Sequence, residues 1–126
     1  MRHIISVLLE NESGALSRVA GLFSARSFNI ESLSVAPSED LTASRMTIVT
    51  SGNDAVIEQI VKQLEKLVDV IEVSEITSSD HIEREIVFVK IKDSDTNNEN
   101  LKLLQINEFL KIHKAKNGHA IIECVD

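Results

Sequence analysis

From Ile4 to Leu9 the chain is apolar at every position except Ser6, and it then meets Glu10-Asn11-Glu12-Ser13-Gly14 before apolar residues return at helical spacing. A β-rich run of that kind reads as a central strand, buried on one face and closely packed on the other. The turn behind it opens a helix. The first four N–H groups of a helix have no partner within it, and the helix dipole adds partial positive charge at the same end. Such a turn can hold a small anion such as a carboxylate. Most strand-to-helix turns bind nothing, so a binding role here needs support from the rest of the chain.

The apolar pattern then alternates between two periods. Leu16, Val19, Ala20 and Phe23 recur at i, i+3, i+4 and i+7 and predict an amphipathic helix ending near Arg26, with Asn11 or Ser13 as its cap. Phe28-Asn29-Ile30 leads into a second strand, where Glu31, Leu33 and Val35 face one way and Ser32, Ser34 and Ala36 the other. Pro37 closes it, and because proline cannot donate to a ladder this strand belongs at a sheet edge. After Ser38-Glu39-Asp40, Met46, Ile48 and Thr50 alternate with Arg45, Thr47 and Val49 in a third strand, which Ser51-Gly52-Asn53 ends. Val56, Ile57, Ile60, Val61, Leu64 and Leu67 form the stripe of a second helix, and Val68 to Ile76 reads as a fourth strand. The order β-α-β-β-α-β is the split βαβ arrangement of ferredoxin-like folds, an α+β class with an antiparallel sheet.

Polar residues Thr77-Ser78-Ser79-Asp80 then predict a linker, giving a first domain at 1–76, a linker at 77–81 and a partial unit at 82–126. Within the partial unit, Glu83 to Lys92 reads as a strand and Asp93 to Asn100 is wholly polar. Leu101 to Lys114 reads as a helix ended by Lys114, Lys116 and the Asn117-Gly118 stop, followed by a strand from Ala120 to Val125. This β-α-β set is about half of the first pattern. Its unpaired edges predict pairing with another chain, packing on the first unit or partial disorder.

Several functions are excluded by composition and spacing. The net charge of −7 opposes binding to nucleic acid or anionic lipid, which need clustered Lys and Arg. Nothing approaches the roughly 20 apolar residues of a membrane helix, and one cysteine, Cys124, forms no internal disulfide, so a reducing, cytoplasmic location is expected. His3, His81, His113 and His119 lack ligand spacing, and the calcium-loop-like start at Asp93 has Asn98 and Leu104 where glycine and glutamate are required. No metal site and no nucleophile with a flanking glycine pattern emerge.

The run Arg2 to Gly14, with Phe28-Asn29-Ile30-Glu31-Ser32-Leu33, Ser44-Arg45-Met46-Thr47, Leu67-Val68-Asp69-Val70 and His81-Ile82-Glu83-Arg84-Glu85, closely resembles the small regulatory subunits of acetolactate synthase. The resemblance fades from residue 93 onward. It implies an ACT domain, ferredoxin-like, followed by an incomplete second ACT-like unit, with no catalytic site and no cofactor of its own. The implied partners are a catalytic large subunit carrying thiamine diphosphate, magnesium and FAD, a second copy paired through strand 2, and a small-molecule effector, valine or a related amino acid. The effector would sit at the dimer interface, between Asn11, Gly14, Ala15 and Leu16 of one copy and Asn29 and Ile30 of the other.

Each of those residues also has an ordinary structural role. Gly14 suits a tight turn, Asn29 tolerates a left-handed backbone, and Leu16 and Ile30 suit the core. Among other functions, an acylphosphatase-like hydrolase needs an arginine in the phosphate-cradling turn, and Glu10 to Leu16 has none. An RNA-binding sheet needs aromatics on its central strands, and strands 1 and 3 have none. An amino-acid-sensing ACT module serving a different enzyme is the alternative that ligand binding alone does not separate from the first.

Overall fold

Strand β1 (Arg2–Glu10) is the axis of the first sheet: it pairs antiparallel with β3 (Ala43–Ser51) on one side and with β4 (Val70–Glu75) on the other. Strand β2 (Ser32–Pro37) pairs with β3 and ends the sheet, whose order is β2-β3-β1-β4. The central place of β1 and the edge place of β2 agree with the apolar run and with Pro37. In this computed structural model residues 1–97, 99–106, 110–114 and 117–126 are described. They divide into two units, Met1–His81 and Ile82–Asp126, and each is treated by itself.

Helices α1 (Ala15–Ala25) and α2 (Asp54–Glu65) cover one face of the first sheet. Ile5, Val7 and Leu9 of β1 with Met46 and Ile48 of β3 meet Val19, Leu22 and Phe23 of α1 and Ile57, Ile60 and Leu64 of α2 in one buried cluster. Each such side chain contributes roughly 1.5–3 kcal/mol by leaving water. Asn53 caps α2, its Oδ1 accepting from Val56 N at 2.9 Å. The stripe of α1 is turned relative to the sequence expectation: Ala15, Val19, Leu22 and Phe23 are buried, whereas Leu16 is 42% exposed. The helix begins at Ala15, so the set at i, i+4, i+7 and i+8 meets the sheet and Leu16 swings toward β2.

The end of α1 fixes the approach to β2. Ser27 adopts a left-handed φ of 57°, Phe28 N donates to Phe23 O at 2.9 Å and Ser27 N to Ser24 O at 3.2 Å. This is the six-to-one and five-to-two pairing of a Schellman end, with its usual apolar contact between the third-last and the second following residue. Here that contact is Phe23 against Phe28, rings edge to face at 6.3 Å. Strand β4 starts two residues later than expected, because Val70 N turns back to Leu67 O and Val68 is left 92% exposed.

In the second unit β5 (Ile86–Lys92) is followed by a 3-10 turn (Asp93–Asn97) and α3 (Glu99–Gln105), and then by two strands, β6 (Leu110–Lys114) and β7 (His119–Val125). The expected single helix from Leu101 to Lys114 is therefore wrong from Leu110 to Lys114, which form a strand. Leu110-Lys111-Ile112-His113 alternates with period two, and that period wins once β7 is available to pair with it. Residues 107–109 of that helix and Lys116 lie outside the described residues. Asn117-Gly118 is a turn between strands and not a helix stop, both residues having positive φ, 65° and 72°. The order β5-β7-β6 repeats β1-β3-β2 of the first unit. The second helix and fourth strand of the first unit have no counterpart among the described residues of the second.

Candidate functional site

At the end of β1 the chain is tied down on both sides. Glu10 N donates to Asp69 O at 2.8 Å, while Asn11 N donates to Thr42 O at 2.8 Å and Asn11 Nδ2 to Leu41 O at 2.9 Å. Asn11 thus braces the β2–β3 turn and does not cap α1; its Oδ1 is left as an acceptor. The capping position belongs to Gly14, with φ 85° and no side-chain hydrogen bond, and Ser13 supplies none either. Glycine is favoured there because L side chains are strained at such a φ. With no capping side chain, the first-turn N–H groups of Leu16 and Ser17 stay open to an incoming acceptor.

The arginine missing from Glu10 to Leu16 arrives from the next turn. Arg18 N donates to Gly14 O at 3.0 Å, and its side chain folds back so that Nη1 lies 2.9 Å from where a Cβ on residue 14 would stand. Arg18 Nε and Nη2 grip both carboxylate oxygens of Asp69, the second at 3.0 Å. Asp69 is 6% exposed and Arg18 about half exposed. The positive charge is therefore matched by a buried carboxylate, with Glu12 adding a further negative charge nearby, so the turn is still poorly suited to a phosphate.

The hydrogen bonds from Arg18 hold the Asp69 carboxyl below the usual carboxylate range against the opposing effect of burial, and Asp69 in turn raises Arg18. Since the folded pKa lies below the unfolded one, the stabilisation is full above the ordinary Asp value of about 3.9. It is lost as pH falls through the lower folded value. Urea unfolding followed from neutral to acid pH should show the native chain losing stability more steeply than an Asp69→Asn variant, which has no such proton to take up. Equal acid slopes would remove the assignment.

A cleft of about 210 Å³ opens beside this turn. Asn11, Ala15 and Leu16 line it from the β1–α1 side, and Val35, Ala36 and Pro37 from β2. Leu16 and Val35 are about two-fifths exposed, so the apolar lining runs out to the unpaired edge of β2. Asn29 and Ile30 lie elsewhere. The register pairs Glu10 with Ala43 and Pro37 with Ser44 at one end of the sheet, and Arg2 with Ser51 and Ser32 with Val49 at the other. Asn29, whose carbonyl accepts from Thr50 Oγ1 at 2.6 Å, belongs to the second end, a β2 length of roughly 20 Å from the cleft. Ile30 packs against the core cluster. One chain thus brings together Asn11, Ala15 and Leu16 around the cleft, with Gly14 shaping the turn, and does not bring Asn29 or Ile30 to them.

Val35, Ala36 and Pro37 as a wall, and Arg18 with Asp69 as a clamp, were not among the expected site residues. Alternation on strand 2 carried a signal for the wall, since Val35 faces the helices there. No local signal links Arg18 to Asp69.

A family model described as the AHAS small subunit-like ACT domain matches residues 5–72. The acetolactate synthase isozyme 3 small subunit of Salmonella typhimurium is 64% identical over 102 residues, covering 81% of this chain and 63% of that protein. Its Escherichia coli counterpart is 63% identical over the same shares of each. The crystal structure of the acetolactate synthase small subunit from Thermotoga maritima is similar at a TM-score of 0.84 and 36% identity, over 99% of this chain and 78% of that one. The chain spans 63% of the length of the Salmonella and Escherichia relatives.

Proposed function

The chain belongs to the family of AHAS small subunit-like ACT domains, and we propose on that basis that it is a regulatory subunit of acetolactate synthase in branched-chain amino-acid biosynthesis. It binds valine or a related amino acid for feedback inhibition and sets the activity of a catalytic large subunit that carries thiamine diphosphate, magnesium and FAD. The observation that carries the effector site is the uncapped start of α1 opening beside a cleft with one apolar wall at the sheet edge formed by β2. A carboxylate suits the N–H groups of Leu16 and Ser17. An ammonium suits Asn11 Oδ1 and the neighbouring Glu10 and Glu12, and a branched side chain suits Leu16 and Val35.

The separation of the two groups of site residues supports a dimer. If β2 pairs antiparallel with β2 of a second copy, each chain's Asn29 and Ile30 move to the other's Gly14 turn, and two equivalent sites form across one two-fold axis. The same pairing covers the open edge of β2. Coupling between such a site and a distant active centre is typically about 1–3 kcal/mol.

Sedimentation of the full chain should give a dimer, and calorimetry should give saturable heat with valine. Reconstitution with the large subunit should raise its turnover, and valine should then lower it. Turnover unchanged by the chain would remove the regulatory reading.

A further inference from the structure

The β1–α1 turn, Asn11 to Gly14, is four residues long, and the strand before it and the helix after it are both fastened to one residue outside it. Asp69 accepts from Glu10 N through its main-chain oxygen, at 2.8 Å, and from Arg18 through both oxygens of its carboxylate. Arg18 in turn closes the first helical bond onto Gly14 O and lays its free Nη1 over the same glycine. The bond from Glu10 N continues the antiparallel pairing of β1 with β4 beyond Leu9 and Val70, but the clamp of the Asp69 carboxylate on Arg18 is no part of that ladder. A buried carboxylate is costly unless its partners are well placed, and its placement at the entry to β4 has one geometric result: the direction of the open N–H groups of α1 is fixed relative to β1.

From this we propose that Arg18 and Asp69 are the positioning residues of the amino-acid site, a proposal that rests on the effector reading above. They do not line the cleft. They lie on the side of the turn away from it, and they act by holding Gly14 in its left-handed conformation and the Leu16 and Ser17 N–H groups in register for a carboxylate. Asn11 holds the opposite side through Leu41 and Thr42. The turn is thus preorganised from two directions, and binding does not have to order it.

The guanidinium fork is needed for this, because lysine offers a point charge that cannot fix both carboxylate oxygens in one plane. Affinity for valine is expected to fall in the order native, Arg18→Lys, Arg18→Met, with Asp69→Asn losing about tenfold, in the range seen for residues that act through their neighbours. Calorimetry of the dimer of this chain supplies the affinities, and thermal unfolding and sedimentation of each variant report whether fold and dimer persist. A purely structural pair would lower the unfolding temperature and leave the affinity unchanged, and that outcome would overturn the proposal. Should Asp69→Asn fail to fold, Arg18→Lys, which keeps the charge, decides by whether its affinity is reduced. Absence of valine binding to the native dimer would remove the effector reading and this inference together, whereas native binding with unaltered variants would remove this inference alone.

Discussion

Phe23→Ala should lower the unfolding free energy of the Met1–His81 unit by about 3–5 kcal/mol. Phe23 is 1% exposed and lies in the cluster that joins α1 to the sheet and to α2. Truncation removes its transfer energy and leaves a cavity that β1 and β3 cannot close, because their positions are set by ladders on both sides. It also removes the edge-to-face partner of Phe28, worth about 0.5–1.5 kcal/mol, and with it the apolar contact that closes the Schellman end. A domain of this size has roughly 5–15 kcal/mol in total, so the variant sits near its unfolding threshold. Urea denaturation followed by far-ultraviolet circular dichroism measures the loss. A change below 1 kcal/mol would mean that α1 does not pack as described.

The position of Phe23 in the core was readable from its helical spacing, and so was the whole β-α-β-β-α-β order, because in that half of the chain each apolar run obeys only one period. Where two periods fit, sequence reading failed. Leu101 to Lys114 satisfies a helix if Leu101 and Leu104 are weighed and a strand if Leu110 and Ile112 are weighed. The deciding fact is that β7 pairs with β6, a contact between residues 110 and 124 that no local window contains. Asn117-Gly118 was the available clue, since two residues at positive φ suit a strand reversal better than a helix end.

The same limit applies to the site. Gly14 and Asn11 stand out within one short stretch, so their stretch could be picked from composition and turn chemistry. The role of Asn11 could not, because Leu41 and Thr42, which its side chain and main chain engage, are 30 residues or more away. Arg18 and Asp69 are separated by 51 residues and meet only because α1 and the entry to β4 flank the same end of β1. Long-range pairs of this kind are set by sheet order, which periodicity gives, and by helix rotation, which it gives only to within a residue. Within that residue lies the difference between Leu16 on the buried α1 stripe and Leu16 lining the cleft, where the resemblance also places it.

Gly14→Asp should abolish the response to valine while leaving a folded dimer. At φ 85° any L side chain is strained, at a cost of order 1–2 kcal/mol, which a domain of ordinary stability survives. The new Cβ would stand 2.9 Å from Arg18 Nη1, so the guanidinium must shift on Asp69 to admit it, which loosens the clamp. The larger effect is electrostatic. A carboxylate at the start of α1 is itself favoured by the helix dipole, so it occupies the place a ligand carboxylate needs. It also competes with Asp69 for Arg18. Gly14→Ala separates these causes, since it brings the strain and the Cβ without the charge. Calorimetry with valine should give no heat for the aspartate variant and weakened but measurable binding for the alanine variant, with both sedimenting as dimers. If Gly14→Asp unfolds, Gly14 is a turn glycine and nothing more. If the two variants bind equally, the open N–H groups of α1 are not where the carboxylate goes.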